Sequence, residues 1–477
     1  MENYPSKCFV DGQWIGSSSG ATFTVRNPAS GEAIAEVPSL MQADIKKAIS
    51  SAHTAFTSWS KTSARLRADL LLQLYQLMRE HFEELARIIT TEQGKPLRES
   101  RAEVLYAANY VRWFAEEAMR IYGDIIPSDS LDKRLFLLKQ PIGVVAAITP
   151  WNFPLAMLCR KLAAALAAGC TCIAKPAPET PLTALFLASL CEKAGIPAGV
   201  LSVLTGDDVM IGATLMASPM VRKVSFTGST EVGKLLMRQS ADTVKKLTLE
   251  LGGNAPCIVL QDADLDKAIE GAIFGKYRNA GQTCICVNRF LVQETIAQTF
   301  TDKLVEHSQK LIVGDGASET TEIGPLISEK AFNKVRALID GAISEGAVCA
   351  LASTTSSRGP LFMSPVVVTG VKPEMRIASE EIFGPVSTIT TFTSDDEAIR
   401  LANDTPYGLA AYVYSRDLRR ALLCAEQLEC GMVGINDTAI SNVQAPFGGI
   451  KESGFGREGS RYGIDEYLTM KYISAAL

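Results

Sequence analysis

Residues 143–175 read GVVAAITPWNFPLAMLCRKLAAALAAGCTCIAK, and the order of their apolar runs decides the fold class. The runs at 143–149 and 171–175 are short and apolar, as strands buried on both faces are. The run at 154–168 between them has helix length. Strand, helix and strand in so short a span make a parallel crossover unit. Residues 140–159 carry no charge, which is long enough to suggest a membrane span. Pro141, Pro150 and Pro154, with Trp151 and Asn152, break the run, so a buried strand and loop suit it better.

Working outward, the alternation continues. Further strands are expected at 200–204, 223–226 and 247–251, with helices at 181–194, 208–217 and 230–240. This order predicts an α/β fold with a doubly wound parallel sheet and ligands at the carboxyl ends of its strands. Before it, residues 41–119 read as helical: Leu66, Leu70, Leu74, Leu77, Met78, Leu85, Ile88 and Ile89 recur at helical spacing. Gly94-Lys95-Pro96 breaks that region ahead of a helix through Val104 and Trp113. After it, strands near 257–260, 290–292, 366–369 and 432–436 alternate with helices at 264–279, 295–311, 328–345 and 396–403, a second α/β domain. Residues 134–139 and the tail from Glu466 stand apart as strands suited to an oligomer contact. The small-residue patch at 353–357 reads as a loop tip.

A chain of 477 residues is expected to form two or three domains. Its 47% hydrophobic and 21% charged residues are globular values, and a net charge of −5 without a basic tract argues against a nucleic-acid partner. Met1-Glu2-Asn3-Tyr4-Pro5 has neither a basic nor an apolar leader region, so no secretory signal is expected. Eleven cysteines without framework spacing point to a reducing, cytoplasmic setting. No Cys-x2-Cys pair occurs, so no zinc site and no other metal is expected. The 3 histidines, His53, His81 and His307, are scattered, and a Ser-His-Asp or Cys-His site would have to use one of them.

Four motifs could carry chemistry. Phe226-Thr227-Gly228-Ser229-Thr230-Glu231-Val232-Gly233-Lys234 leaves a strand and opens a helix, so its backbone amides could face a phosphate. It lacks the hydroxyl residue of a P-loop, having Leu235 there, which disfavours a nucleotide triphosphatase. A tight strand-to-helix turn is the competing reading. Gly281-Gln282-Thr283-Cys284-Ile285-Cys286 is a small-residue loop with two thiols, either nucleophilic or inert. Leu249-Glu250-Leu251-Gly252-Gly253-Asn254 offers a carboxylate at a strand end, a general base or a solvated edge residue. In Thr149-Pro150-Trp151-Asn152-Phe153-Pro154 the Asn amide could donate to an oxyanion.

Together with Glu380-Glu381-Ile382-Phe383-Gly384-Pro385 and Pro446-Phe447-Gly448-Gly449-Ile450-Lys451-Glu452-Ser453-Gly454, these motifs resemble, in order and over essentially the whole chain, the aldehyde dehydrogenase superfamily. Arg278-Asn279-Ala280-Gly281-Gln282-Thr283-Cys284-Ile285-Cys286 and the run from Gly456 to Tyr467 look most like its succinate-semialdehyde dehydrogenase branch. The resemblance implies a Rossmann-type NAD(P)-binding domain over 1–122 and 140–252, a catalytic domain over 253–448, and an oligomerisation β-segment over 123–139 and 449–477, in a homodimer or homotetramer. It implies that Cys284 attacks the aldehyde, that Asn152 and the Cys284 amide hold the oxyanion, and that Glu250 activates the water that hydrolyses the thioester. Gly228 and Ser229 would meet the pyrophosphate, Lys175 the adenosine ribose and Glu381 the nicotinamide ribose, with Phe383 and Trp151 along the nicotinamide.

One departure concerns the cofactor. NAD-preferring members carry a Glu where this chain has Pro178, with Glu179 adjacent. Loss of that anion, with Lys175 left to attract a 2′-phosphate, leads to the expectation that NADP is accepted or preferred, with NAD still usable. For the substrate, the resemblance implies that Arg160, Arg278 and Ser441 grip a distal carboxylate, as planar guanidiniums can. Succinate semialdehyde is the expected substrate, and glutarate semialdehyde or another ω-carboxy aldehyde the alternative. A non-catalytic crystallin-like protein is the competing class, against which Cys284, Glu250 and Asn152 stand together. Redox-switched members further imply a reversible Cys284–Cys286 disulfide, whose small ring would be strained and readily reduced.

Overall fold

The computed structural model describes residues 5–353 and 359–477. The first four residues and most of the patch at 353–357 lie outside the described residues.

The strand–helix–strand unit forms as expected: Val144–Ile148, Pro154–Ala168 and Thr171–Lys175. Both strands are buried at every position, and so is the helix along its whole length. Such a helix needs apolar neighbours all round, which is why its segment reads as uniformly hydrophobic. It starts on Pro154 at its first turn and stops at Gly169, whose φ of 92° only glycine adopts cheaply. Among the described residues no helix is long and apolar enough to cross a membrane.

In the first sheet the strands run Gly454–Phe455, Lys246–Glu250, Val221–Thr227, Val144–Ile148, Thr171–Lys175, Leu201–Val203, Cys8–Val10, Gln13–Ile15. The five central strands are parallel, and the antiparallel strands close both edges. Strand order reverses between Val144–Ile148 and Val221–Thr227, so a topological switch point opens at their carboxyl ends. The second sheet runs Val348–Leu351, Val366–Thr369, Val386–Phe392, Val287–Gln293, Ala255–Val259, Ala410–Tyr414, Met432–Ile435, parallel except at the first strand. Its strands Val386–Phe392, rich in Ser and Thr, and Ala410–Tyr414 were not anticipated from the sequence, nor was helix Leu418–Gln427. In a third sheet Leu468–Ala476 pairs antiparallel with Lys133–Pro141, which also pairs with Asp124–Ile126. Ile125, Met470 and Tyr472 on these strands are exposed.

The helical region forms Gln42–Trp59, Ala64–Glu80, Phe82–Gln93 and Leu97–Ala118, packed over the first sheet. Two of its carboxylates cap helices that lack caps of their own. Glu92 accepts from the Leu182 and Thr183 amides at 2.7 and 2.9 Å, opening Leu182–Lys193. Glu103 accepts from the Leu155 and Ala156 amides at 2.9 and 3.2 Å, opening Pro154–Ala168. The other Glu103 oxygen takes the ammonium of Lys95 at 2.6 Å, and that ammonium also donates to the Asn152 carbonyl at 2.6 Å. Neither side chain of the pair touches water. The Gly-Lys-Pro break in the helical region therefore delivers a buried cation to the turn that carries Asn152.

Removing one member of such a pair strands the other. Lys95→Met is expected to destabilise the protein by about 3–5 kcal/mol, and Lys95→Met with Glu103→Leu by clearly less, because no charge is then left unpaired. Urea denaturation of the three proteins checks this, and equal losses in the single and double variants would show the pairing to be incidental.

Candidate active site

Loops at the carboxyl end of the first sheet meet loops of the second, Asn152 bonding Gln282 and Gly253 bonding Glu381. The parallel pairings Ile148 with Phe226 and Thr227 with Glu250 bring three strand ends side by side in the first sheet. Trp151, Asn152, Gly228, Ser229 and Glu250 thus leave it together. In the second sheet, Val287–Gln293 begins directly after Cys286, so the two-thiol loop sits at the amino end of that strand.

That loop has an unusual backbone. After helix Leu265–Tyr277 the chain passes through Asn279, Ala280 and Gly281 with φ of 52°, 54° and 74°. Consecutive left-handed residues are costly for Ala and tolerable for Asn and Gly. A Cβ on Gly281 would lie 2.2 Å from the Gly384 carbonyl, so only glycine fits. Hydrogen bonds hold the bend. The Asn279 amide nitrogen donates to the Asn152 carbonyl at 3.0 Å, its side-chain oxygen accepts from Gln93 at 3.0 Å, and its backbone N–H donates to Glu99 at 2.7 Å. The Asn152 side-chain amide donates to the Gln282 carbonyl at 3.0 Å. An amide has two N–H bonds, so Asn152 keeps a second donor, and the Gln282 that it holds stands two residues before Cys284.

Cys284 is half-buried at the bottom of this junction. Burial pushes its thiol up to about 12; Arg160 and Arg278 draw it down, while Glu381 and Glu250 add to the rise. Glu250 is buried, and neither carboxyl oxygen has a hydrogen-bond partner among the described residues. Burial, then the neighbouring Glu458, holds its carboxyl well above the ordinary range, against the pull of Arg160, Lys161 and Arg457. Gly448 leaves room for it: a Cβ there would lie 2.9 Å from the Glu250 Oε1.

Three further charges, all buried, surround Glu250. Arg160 and Lys161 both pair with Glu458, and Lys161 also donates to the Thr227 hydroxyl at 2.7 Å. The Arg160 guanidinium lies 4.4 Å from the centre of the Phe447 ring. It is therefore occupied, although expected at the substrate. Arg278 is half-buried, with its guanidinium 5.2 Å from the Phe153 ring centre and 5.5 Å from that of Phe274. No carboxylate forms an ion pair with it among the described residues. Ser441 lines an open cleft with Tyr106, Asn109 and Trp113, which neither arginine lines.

On the other side lies a surface suited to a dinucleotide. Gly228 donates its N–H to the Glu250 carbonyl at 3.1 Å, and the Ser229 side chain caps helix Thr230–Ser240. The amino end of that helix thus opens at the switch point, where an anionic pyrophosphate is favoured. Trp151 and Phe383 meet edge to face, ring centres 5.5 Å apart, with Phe383 held at a φ of 58°. One Glu381 oxygen accepts from the Gly253 amide at 3.1 Å, and burial pushes the carboxyl up to about 7. Lys175 pairs with Asp208, and Pro178 lies half-buried nearby in sequence. These residues, with two aromatic walls and a helix amino end, fit NAD(P).

Cys286 is buried, and its Sγ lies 3.4 Å from the Lys276 carbonyl oxygen. Both it and Cys284 are free thiols. Sequence reasoning missed Lys95, Glu103, Lys161, Glu458 and Asp208. Lys161 adjoins Arg160, and Glu458 lies in a motif quoted for its resemblance, but neither position signals burial by itself.

The comparisons agree with this geometry. Residues 14–473 match the aldehyde dehydrogenase family. The chain is 52% identical to the 3-sulfolactaldehyde dehydrogenase of Pseudomonas putida, over 98% of this chain and 96% of that protein. It is 49% identical to the NADP(+) succinate-semialdehyde dehydrogenase of Escherichia coli, over 99% and 98%. The crystal structure of succinate-semialdehyde dehydrogenase from Burkholderia pseudomallei superposes with a TM-score of 0.99 at 51% identity, covering all of both chains. Fold, motif order and full-length similarity lead to one conclusion: the chain belongs to the aldehyde dehydrogenase family.

Proposed function

We propose that this NAD(P)-dependent aldehyde dehydrogenase oxidises succinate semialdehyde to succinate through a covalent adduct on Cys284. The observation that carries the reading is the meeting of a half-buried thiol, an unpartnered buried carboxyl and a free amide donor where the two sheets join.

In this mechanism Cys284 gives up its proton to solvent, its sulfur bonds to the aldehyde carbon, and the carbonyl π-electrons pass to the oxygen. The oxyanion so formed is held by the second N–H of Asn152 and the Cys284 backbone N–H. Each such donor supplies about 100- to 1,000-fold in rate. When bound, NAD(P)+ would supply the hydride acceptor needed to oxidise the adduct to a thioester. Glu250 then takes a proton from water, the water oxygen attacks the thioester carbon, and the Cys284 sulfur leaves. A carboxyl raised by burial suits that task, because its basicity lies closer to that of the water it must activate. Gly228, Ser229 and Lys175 would hold the cofactor's phosphates and adenosine ribose, Glu381 its nicotinamide ribose, with Trp151 and Phe383 flanking the ring and Pro178 near the adenosine.

An unpaired guanidinium at Arg278 supports an aldehyde with a distal carboxylate. Arg160, tied to Glu458, would act through its charge, and Ser441, in a cleft that neither arginine lines, would reach the carboxylate only from there. Glutarate semialdehyde is one methylene longer, and a pocket discriminates against that by only about 10- to 200-fold. Residues 1–122 with 140–252 would form the cofactor domain and 253–448 the catalytic domain. The exposed apolar side chains Ile125, Met470 and Tyr472 support 123–139 and 449–477 as the contact in a homodimer or homotetramer. Free thiols throughout the described chain suit a reducing cytoplasm. The adjacency of Cys284 and Cys286 supports a reversible disulfide, which mass mapping after peroxide treatment would detect.

Cys284→Ala is expected to abolish turnover while cofactor still binds. Glu250→Gln is expected to keep one rapid burst of reduced cofactor and then deacylate slowly. In the wild type, steady-state turnover should rise with pH above the ordinary carboxylate range as the raised Glu250 carboxyl ionises, and Glu250→Gln should flatten that rise. Normal steady-state rates in either variant would end the mechanism.

Arg278→Met is expected to cost about 1.5–3 kcal/mol in kcat/KM with succinate semialdehyde and little with butanal. Arg160→Met should harm both substrates alike, since it also releases Glu458. Equal losses on both substrates for Arg278→Met would make that arginine structural.

A further inference from the structure

Lys175 ends the strand Thr171–Lys175, and beside it runs the parallel strand Leu201–Val203, after which helix Asp208–Ala217 begins. Two adjacent aspartates stand at that helix start, and the structure gives them different tasks. Asp207 caps the helix, its side chain accepting from the Met210 amide at 2.6 Å. Asp208 turns instead to the Lys175 ammonium and pairs with it. The lysine side chain is 5% exposed and the aspartate 55%, so the carboxylate faces the solvent from which a cofactor arrives. Glu179 stands within electrostatic reach of both.

We infer that Asp208 is a specificity-determining residue that sets the cofactor preference toward NAD+ by excluding a ribose 2′-phosphate. The inference rests on the reading that Lys175 meets the adenosine ribose. A phosphate monoester carries close to two negative charges at neutral pH. To pair with Lys175 it would have to displace Asp208 or lie against its carboxylate, and like charges at that range repel even in partly exposed surroundings. A 2′-hydroxyl is neutral and can donate a hydrogen bond to the same carboxylate. Pro178 brings no anion to this end of the site, and Asp208 supplies one from the start of the helix that follows the adjacent strand. The sequence expectation that NADP is accepted or preferred weighed Pro178 and a free Lys175, without the Asp208 that pairs with that lysine.

The test is equilibrium binding of NAD+ and of NADP+ without aldehyde, followed by protein fluorescence, in the wild type, Asp208→Asn and Lys175→Met. The wild type is expected to bind NAD+ at least about tenfold more tightly than NADP+ at low salt, and Asp208→Asn to narrow that ratio about tenfold. Because Asp208 is half-exposed, raising the salt to about 0.5 M should narrow the wild-type ratio more than the variant's. A wild type that favours NADP+, or a ratio that Asp208→Asn leaves in place, overturns the inference. Lys175→Met separates the two levels of the reading. If it weakens both cofactors while Asp208→Asn changes nothing, only the role of Asp208 falls. If it leaves both affinities at wild-type values, the ribose does not lie at Lys175 and that reading falls with it.

Discussion

A fully buried ammonium must be paired, and in this protein the pairing of Lys95 fixes the geometry on which everything else depends. Two of its N–H bonds reach Glu103 and the Asn152 carbonyl, and Glu103 reaches on to the amides that open helix Pro154–Ala168. Asn279 shares the same Asn152 carbonyl, and Asn152 in turn holds Gln282. One network therefore joins the helical layer, the end of the first sheet and the two-thiol loop. It also explains how three successive left-handed residues persist at 279–281, since strain of about 1–3 kcal/mol per residue survives only where the surroundings over-determine the bend.

The second organising feature is how the site stores charge. Glu250 and Glu458 lie close together in the interior with two cations, Arg160 and Lys161, and both cations choose Glu458. The two carboxylates are thereby driven apart in proton affinity: Glu458 is held below its ordinary range and Glu250 above it, although burial raises both. A carboxylate pair divided in this way assigns one member to structure and leaves the other free to exchange a proton. Cys284 faces the same field, with arginines on one side and carboxyls on the other. Burial raises the proton affinity of thiol and carboxyl alike.

Much of this was legible before any coordinates. Helices at 154–168, 208–217 and 230–240 lie where the sequence put them, the first two as apolar runs opened by Pro or Asp and the third as an amphipathic run capped by Ser229. Strand Val386–Phe392 was not, because its Ser and Thr side chains dilute the apolar signal, although it lies in the middle of its sheet with parallel partners on both sides. The pair of strands left over from the two domains was visible as an oddity, and only their antiparallel register made them one element.

The sequence by itself determined the chemistry available: a thiol in a small-residue loop, a carboxylate beside two glycines, an amide between prolines, and the ordered motifs that define the family. Only the tertiary structure decided which charges are free. Lys161 finds Glu458 across 297 positions, Lys175 finds Asp208 across 33, and Arg160 is tied down while Arg278 is not. The reason is physical. A residue's type fixes what it can bond, whereas burial, which depends on every packed neighbour, fixes whether it must bond and leaves it whichever partner the fold brings within reach.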